Sequence, residues 1–243
     1  ACLADMFINL LGVQLTEEIY PATAAELNYS ISVGDKGIII KVDGYNEKLP
    51  TLLNLILTYF KKVSANLTKD IFEAVKDKLT KVYHNKFLKP FDLAKDIRLS
   101  ILLNNYWTAV DKHAAMFKLT FDMMKGFSNK LVKSFYILGL IQGNVDKETA
   151  IITSKMIADV LKCEPLLPEN FPKIQVHELP NGEYCCRTMS FNENDSNSII
   201  VNYYQSDRFT MRNNVILELL MMYIEEPLFD ILRTKEQLGY HVY

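Results

Sequence analysis

The chain has 243 residues and 28.0 kDa, is 49% hydrophobic and 23% charged, and sets 27 basic against 29 acidic side chains for a formal net charge of −2. These proportions exclude a disordered, collagen-like or disulfide-stapled chain and leave room for one large core or two smaller ones. So even a charge balance gives no reason to expect nucleic acid as a partner.

The apolar opening (Leu3, Met6, Phe7, Ile8, Leu10, Leu11) is interrupted by Asp5 and Asn9 and lacks a basic flank and a small-residue cleavage site, so it is not a signal peptide. Its three- and four-residue spacing continues through Leu15, Ile19 and Leu27, which predicts helix with a break near Pro21. The period then changes. Alternating Tyr29, Ile31 and Val33, the turn Gly34-Asp35-Lys36-Gly37 and an apolar run over 38–42 predict a β-hairpin. Helical periodicity returns over 49–63 and over 69–87, the latter opened by Thr68 as N-cap. A further helix follows Pro90 through Leu93, Ile97, Ile101 and Leu102, since proline is favoured in a first turn. Helix is expected over 121–131, a strand over 134–141 closed by Gln142-Gly143-Asn144, and helix over 146–161.

Four of the eight prolines, Pro165, Pro168, Pro172 and Pro180, fall within sixteen residues, a density that neither helix nor central strand accepts. The linker is placed at 164–172, between a domain at 1–163 and a second at 173–243. In the second, 174–179, 184–191 and 199–205 read as strands, and 210–232 as a helix too apolar to be exposed all round. A β-prone run, His241-Val242-Tyr243, follows Gly239 where a further strand begins, so the second unit is expected to be truncated, a piece of a longer polypeptide. Hairpins rather than long crossovers make the fold class α+β. No stretch reaches about 18 uninterrupted apolar residues, so no membrane span is expected.

The chemical inventory is short. Cys2, Cys163, Cys185 and Cys186 show no zinc-type spacing; they read as reduced thiols of a cytoplasmic chain, the last two on opposite faces of a strand. Three Asn-x-Ser/Thr triplets, at Asn28, Asn66 and Asn194, mean little without a secretory signal. His84, His113, His177 and His241 lie far apart, with neither His-Glu-x-x-His nor His-x-x-Glu-His, so no metal ligand is assigned in this chain. There is no phosphate-cradling glycine loop and no Gly-x-Ser-x-Gly elbow. Glu17-Glu18 and Glu225-Glu226 diverge on their helices and read as solvated faces. The run from Lys61 to Arg98, with ten Lys/Arg against five Asp/Glu, reads as solvated helix faces, with steering of an acidic partner as the alternative.

One stretch is different in kind. Glu226-Pro227-Leu228-Phe229-Asp230-Ile231-Leu232-Arg233-Thr234-Lys235-Glu236-Gln237-Leu238-Gly239-Tyr240 resembles the signature of the pitrilysin/insulysin family of zinc metalloendopeptidases, Glu-Pro-x-Phe-x-x-Leu-Arg-Thr-Lys-x-x-Leu-Gly-Tyr, at each fixed position. Gly44-Tyr45-Asn46-Glu47-Lys48-Leu49-Pro50, Lys89-Pro90, Leu93-Ala94-Lys95-Asp96, Gln142-Gly143-Asn144 and Val201-Asn202-Tyr203-Tyr204-Gln205-Ser206 look like further landmarks of its second half. Lys95-Asp96-Ile97-Arg98-Leu99, Trp107, Asp111-Lys112 and Gly239-Tyr240-His241-Val242-Tyr243 lean toward one branch of the family, and Glu236-Gln237 toward another.

The resemblance implies four similar α+β domains forming two bowl-shaped halves around a closed chamber. This chain is then most of the third domain, without its opening strands, plus the start of the fourth. Zinc and the general-base glutamate would belong to the first domain, in the N-terminal half of the same enzyme, and none is bound here. Arg233 and Tyr240 would reach the bound peptide as catalytic and substrate-binding groups, a guanidinium fork holding a peptide carbonyl and a phenol donating to the developing oxyanion. Phe229 would line the pocket beside them, and Gly239 would supply a positive φ or a close approach. The implied partners are peptide substrates, cleaved at basic residues, and the absent N-terminal half; a homodimer is left open. The alternative function is a non-catalytic protein-binding scaffold that keeps the fold without the metal.

Overall fold

The computed structural model describes residues 1–206, 208–240 and 242. Two compact units divide the chain, Ala1–Val201 and Asn202–Tyr243.

The first unit is built around α1 (Cys2–Ala24), whose Met6, Phe7, Leu10, Leu11, Leu15 and Ile19 are buried. The helix does not break at Pro21. It runs on to Ala24, because so close to its end a proline forfeits little of the remaining hydrogen-bond ladder. Glu26, at φ 59°, then turns the chain into the hairpin β1 (Asn28–Gly34) and β2 (Gly37–Asp43). Its antiparallel register runs from Asn28 opposite Asp43 to Gly34 opposite Gly37, with the two-residue turn that the sequence predicts. Tyr29, Ile31, Ile38, Ile40 and Val42 lie on the face packed against the core. Gly44 closes the hairpin at φ +136°, where a Cβ would stand 2.8 Å from Leu27 Cδ2 and 3.1 Å from the Glu26 carbonyl.

Helices α2 (Leu49–Lys62), α3 (Lys69–Phe87) and α4 (Pro90–Leu102) follow as expected, and the Thr68 side chain accepts from the Ile71 amide at 3.3 Å. Helix α5 (Ala109–Met116) was not foreseen by periodicity. Its start is fixed by a reciprocal capping box: Thr108 Oγ1 accepts from the Asp111 amide at 3.1 Å, and Asp111 Oδ2 accepts from the Thr108 amide at 3.1 Å. Helix α6 (Phe121–Leu131) and α7 (Lys147–Leu161) start at Thr120 and Asp146 caps. Phe7 packs edge-on against Phe60 at 4.9 Å, and Phe72 against Phe121 at 5.9 Å.

Sheet is scarcer than the sequence predicts. Only β3 (Ser134–Phe135) forms from the 134–141 run, pairing in parallel with β4 (Glu164–Pro165), and Leu138 and Leu140 beyond it are each 87% exposed. A 3-10 turn, Pro168–Asn170, carries the proline-rich stretch onward. None of the expected strands at 174–179, 184–191 or 199–205 forms among the described residues; the one β contact there is an isolated antiparallel bridge between Leu103 and Val176. Cys185 and Cys186 accordingly occupy no strand. The reason is that a strand is stable only with a partner for its backbone hydrogen bonds and a layer for its apolar face. The architecture remains α+β, dominated by helix.

In the second unit α8 (Met211–Phe229) begins at the Thr210 cap and continues into a π-helical turn, Asp230–Lys235. The expected burial of this apolar helix is not met: Val215 is 50%, Leu219 61% and Tyr223 80% exposed. No strand among the described residues of the unit covers it. The further strand expected at His241-Val242-Tyr243 lies largely outside the described residues.

Candidate functional site

Phe229 ends α8 and Arg233 stands four residues on, one helical turn away on the same face. The chain then reverses. The Glu236 amide donates to the Ile231 carbonyl at 2.9 Å and the Leu238 amide to the Leu232 carbonyl at 3.0 Å, with Gln237 in the left-handed region at φ 51°. Sequence reasoning assigned a positive φ or a close approach to Gly239. The positive φ belongs instead to Gln237, and a Cβ on Gly239 would meet nothing within 4 Å. This turn folds 238–240 back over the end of the helix and brings Tyr240 to Arg233.

The guanidinium carbon of Arg233 lies 4.9 Å from the Phe229 ring centroid and 4.4 Å from that of Tyr240, so the cation is in contact with both rings. All three predicted site residues are therefore together. Tyr240 is 74% and Phe229 40% exposed, and each cation–π contact at such exposure is worth about 0.5–1 kcal/mol. The contacts stabilise little. A guanidinium carries its five N–H donors in its own plane, so cation–π contact with a ring does not consume them. The nearby Lys235–Asp230 ion pair, 2.8 Å with both side chains about half exposed or more, adds little.

The landmark residues elsewhere turn out to carry architecture. Asp96, 2% exposed, accepts from Tyr106 Oη at 2.7 Å, the Ala109 amide at 2.6 Å and Lys86 Nζ at 3.2 Å, tying α3, α4 and the start of α5 together. Burial alone would raise its carboxyl pKa, but these three donors outweigh it and hold the pKa below the usual carboxylate value. Lys112 Nζ reaches Asp5 at 2.9 Å, and Asp5 also accepts from Tyr83 Oη at 2.6 Å; burial first, then that carboxylate, push the Tyr83 phenol well above its ordinary pKa. Asn46 Nδ2 donates to the Asn144 carbonyl at 3.3 Å, joining two landmarks 98 residues apart. In the basic run, Lys76, Lys78, Lys81 and Lys86 are tied to Leu119, Asn9, Asp77 and Asp96. Three of these ties, those of Lys76, Lys78 and Lys86, join α3 to other parts of the first unit, and the fourth lies within α3.

Among the described residues no three or more His, Cys, Asp or Glu side chains gather to hold a metal ion. A catalytic zinc centre does not fit the described residues. Glu17, Glu18, Glu225 and Glu226 are exposed. What spacing could not reveal is that His84 of α3 and His113 of α5 meet, with ring centroids 5.5 Å apart. His241 lies outside the described residues.

The fold and site together define a helix-dominated α+β chain that carries an arginine in contact with two aromatic rings. The model of the middle or third domain of peptidase M16 matches residues 1–115, and that of the peptidase M16 inactive domain matches 118–243. The chain belongs to the peptidase M16 family. It is 40% identical to nardilysin of Mus musculus and to nardilysin of Homo sapiens, in each case over 242 residues that are 99% of this chain and 21% of the relative. Insulin-degrading enzyme of Homo sapiens is 30% identical over 246 residues, 99% of this chain and 24% of that protein. The chain thus spans about a fifth of the length of these relatives, and the branch toward which Lys95-Asp96-Ile97-Arg98-Leu99 and Asp111-Lys112 lean is that of nardilysin, with insulysin favoured only by Glu236-Gln237.

Proposed function

We propose that this chain is a portion of the C-terminal half of a nardilysin-like zinc endopeptidase, where it forms part of the chamber wall and holds the peptide at the reaction centre. The Arg233 guanidinium binds a substrate carbonyl with donors that the ring contacts do not consume. The Tyr240 hydroxyl donates to the oxygen on which negative charge develops, and exclusion of water by chamber walls strengthens both contacts. Phe229 flanks the peptide and supports the guanidinium. Zinc and the general base come from the N-terminal half of the same cytoplasmic enzyme, which cleaves peptides at basic residues and can pair as a homodimer. In this reading 1–163 are most of the third domain, 164–172 the linker and 173–243 the start of the fourth.

The observation that carries the proposal is the contact of the Arg233 guanidinium with both Phe229 and Tyr240 within the family signature. Two tests address it. Peptides containing basic pairs, incubated with the isolated chain, should remain intact; zinc-dependent cleavage by this chain alone would contradict the division of labour. The parent polypeptide should contain His-x-x-Glu-His upstream of Ala1. A parent without that motif, binding peptides but not cleaving them, would replace the enzyme reading with that of a protein-binding scaffold.

A further inference from the structure

The four histidines look scattered in sequence, yet the fold brings two of them together. His84 stands in the last turn of α3, exposed, and His113 near the end of α5, half-buried. Their ring centroids are 5.5 Å apart. Phe87 packs edge-on against both, 5.1 Å from His84 and 5.4 Å from His113, and Phe117 adds a contact to His113 at 5.1 Å. The helices beneath are held in place independently, by Lys112 on Asp5 and by Asp96 bridging Lys86 and the Ala109 amide. The separation of the two helix segments that carry the rings is thus set by the frame, independently of the rings.

The spacing has a chemical meaning. An imidazole nitrogen lies about 1.1 Å from its ring centre and about 2.0–2.1 Å from a bound zinc, so two imidazoles on one tetrahedral ion have ring centres about 5.2 Å apart. The observed centroid separation of 5.5 Å is close to that value, and the exposed His84 ring has room to turn a nitrogen toward an ion shared with His113. We propose that His84 and His113 form a two-imidazole site for a borderline divalent transition metal, with zinc as the physiological ion and water completing the coordination. Imidazole nitrogens select zinc, copper or nickel over magnesium or calcium, which prefer oxygen. With two protein ligands rather than the three usual in catalytic zinc centres, the site is an exchangeable surface site that clamps the end of α3 to α5. It is independent of the role proposed for Arg233 and Tyr240.

The test is calorimetric titration of Zn2+ into the full chain at pH 7.5, in a Cys185→Ser/Cys186→Ser background because those exposed thiols would compete for the ion. One zinc per chain is expected, with magnesium giving no binding. His84→Phe and His113→Phe keep an aromatic ring against Phe87 and so preserve packing while removing a ligand. Each should weaken zinc at least about tenfold, because a site of two protein ligands loses half of them. His177→Ala should leave the affinity unchanged. Absence of stoichiometric zinc binding by the background chain, or an unchanged affinity in either phenylalanine variant, would overturn the proposal.

Discussion

Asp96→Ala is the sharpest test of how the first unit is held together. The carboxylate is 2% exposed and receives three donors, at 2.6, 2.7 and 3.2 Å. Truncation strands the Ala109 amide in a buried position, at a cost of about 1–3 kcal/mol. Loss of the charge-assisted bond from Tyr106 adds about 1.5–3 kcal/mol. The Lys86 side chain is 40% exposed, so solvent compensates for most of its loss and it adds at most a few tenths of a kcal/mol. Because the groups share one acceptor, their losses are not additive, and a destabilisation of about 3–5 kcal/mol is expected. Urea unfolding followed by fluorescence reads this directly, since the single tryptophan, Trp107, lies between Tyr106 and the Thr108 cap. The sign with pH follows from the lowered pKa: the stabilisation is fully present above the unfolded carboxyl value of about 3.9 and is lost as pH falls through that value toward the folded one. The gap between wild type and Asp96→Asn should therefore narrow as pH falls below the unfolded carboxyl value of about 3.9. A loss below about 1 kcal/mol in Asp96→Ala, or a gap that widens in acid, would refute the reasoning.

Three further substitutions probe the local geometry. Gly44→Ala combines a φ of +136° with a Cβ 2.8 Å from Leu27 Cδ2, and should cost more than about 1 kcal/mol in urea unfolding, whereas Gly126→Ala, with open space at the Cβ, should stabilise α6 slightly. Thr108→Ala removes the acceptor for the Asp111 amide and should cost about 1 kcal/mol, visible as faster amide exchange in the first turn of α5; unchanged exchange would mean that the cap does not hold that helix.

What the sequence revealed and what it hid divide along the range of the interactions. The hairpin register and the Thr68 cap depend on residues within a few positions of each other, and spacing exposes them, whereas Phe229 and Arg233 are legible as a pair only through the resemblance to the family signature. Helix α5 is only eight residues long, too short for periodicity to stand out, although Thr108 with Asp111 was a readable capping signal. The Asp96 hub, the Lys112–Asp5 pair and the meeting of His84 with His113 join residues between 10 and 107 positions apart, and no local rule reveals them. The expected strands at 174–205 have the right composition, but composition states only a preference for a pleated surface that a neighbouring strand must complete. At the candidate site the return of Tyr240 depends on a left-handed Gln237, a conformation that a non-glycine residue gives no reason to expect.

The account rests on Arg233 and Tyr240 acting on the peptide rather than on the metal. In the full-length parent, steady-state peptidase kinetics of Arg233→Ala and Tyr240→Phe, run beside metal analysis of the same preparations, tests this proposal most directly. Removal of the Tyr240 hydroxyl should lower kcat by about 10²–10³-fold, as loss of one oxyanion donor does, while zinc content stays at the wild-type level. Wild-type turnover in both variants, or turnover lost in proportion to lost zinc, would contradict it.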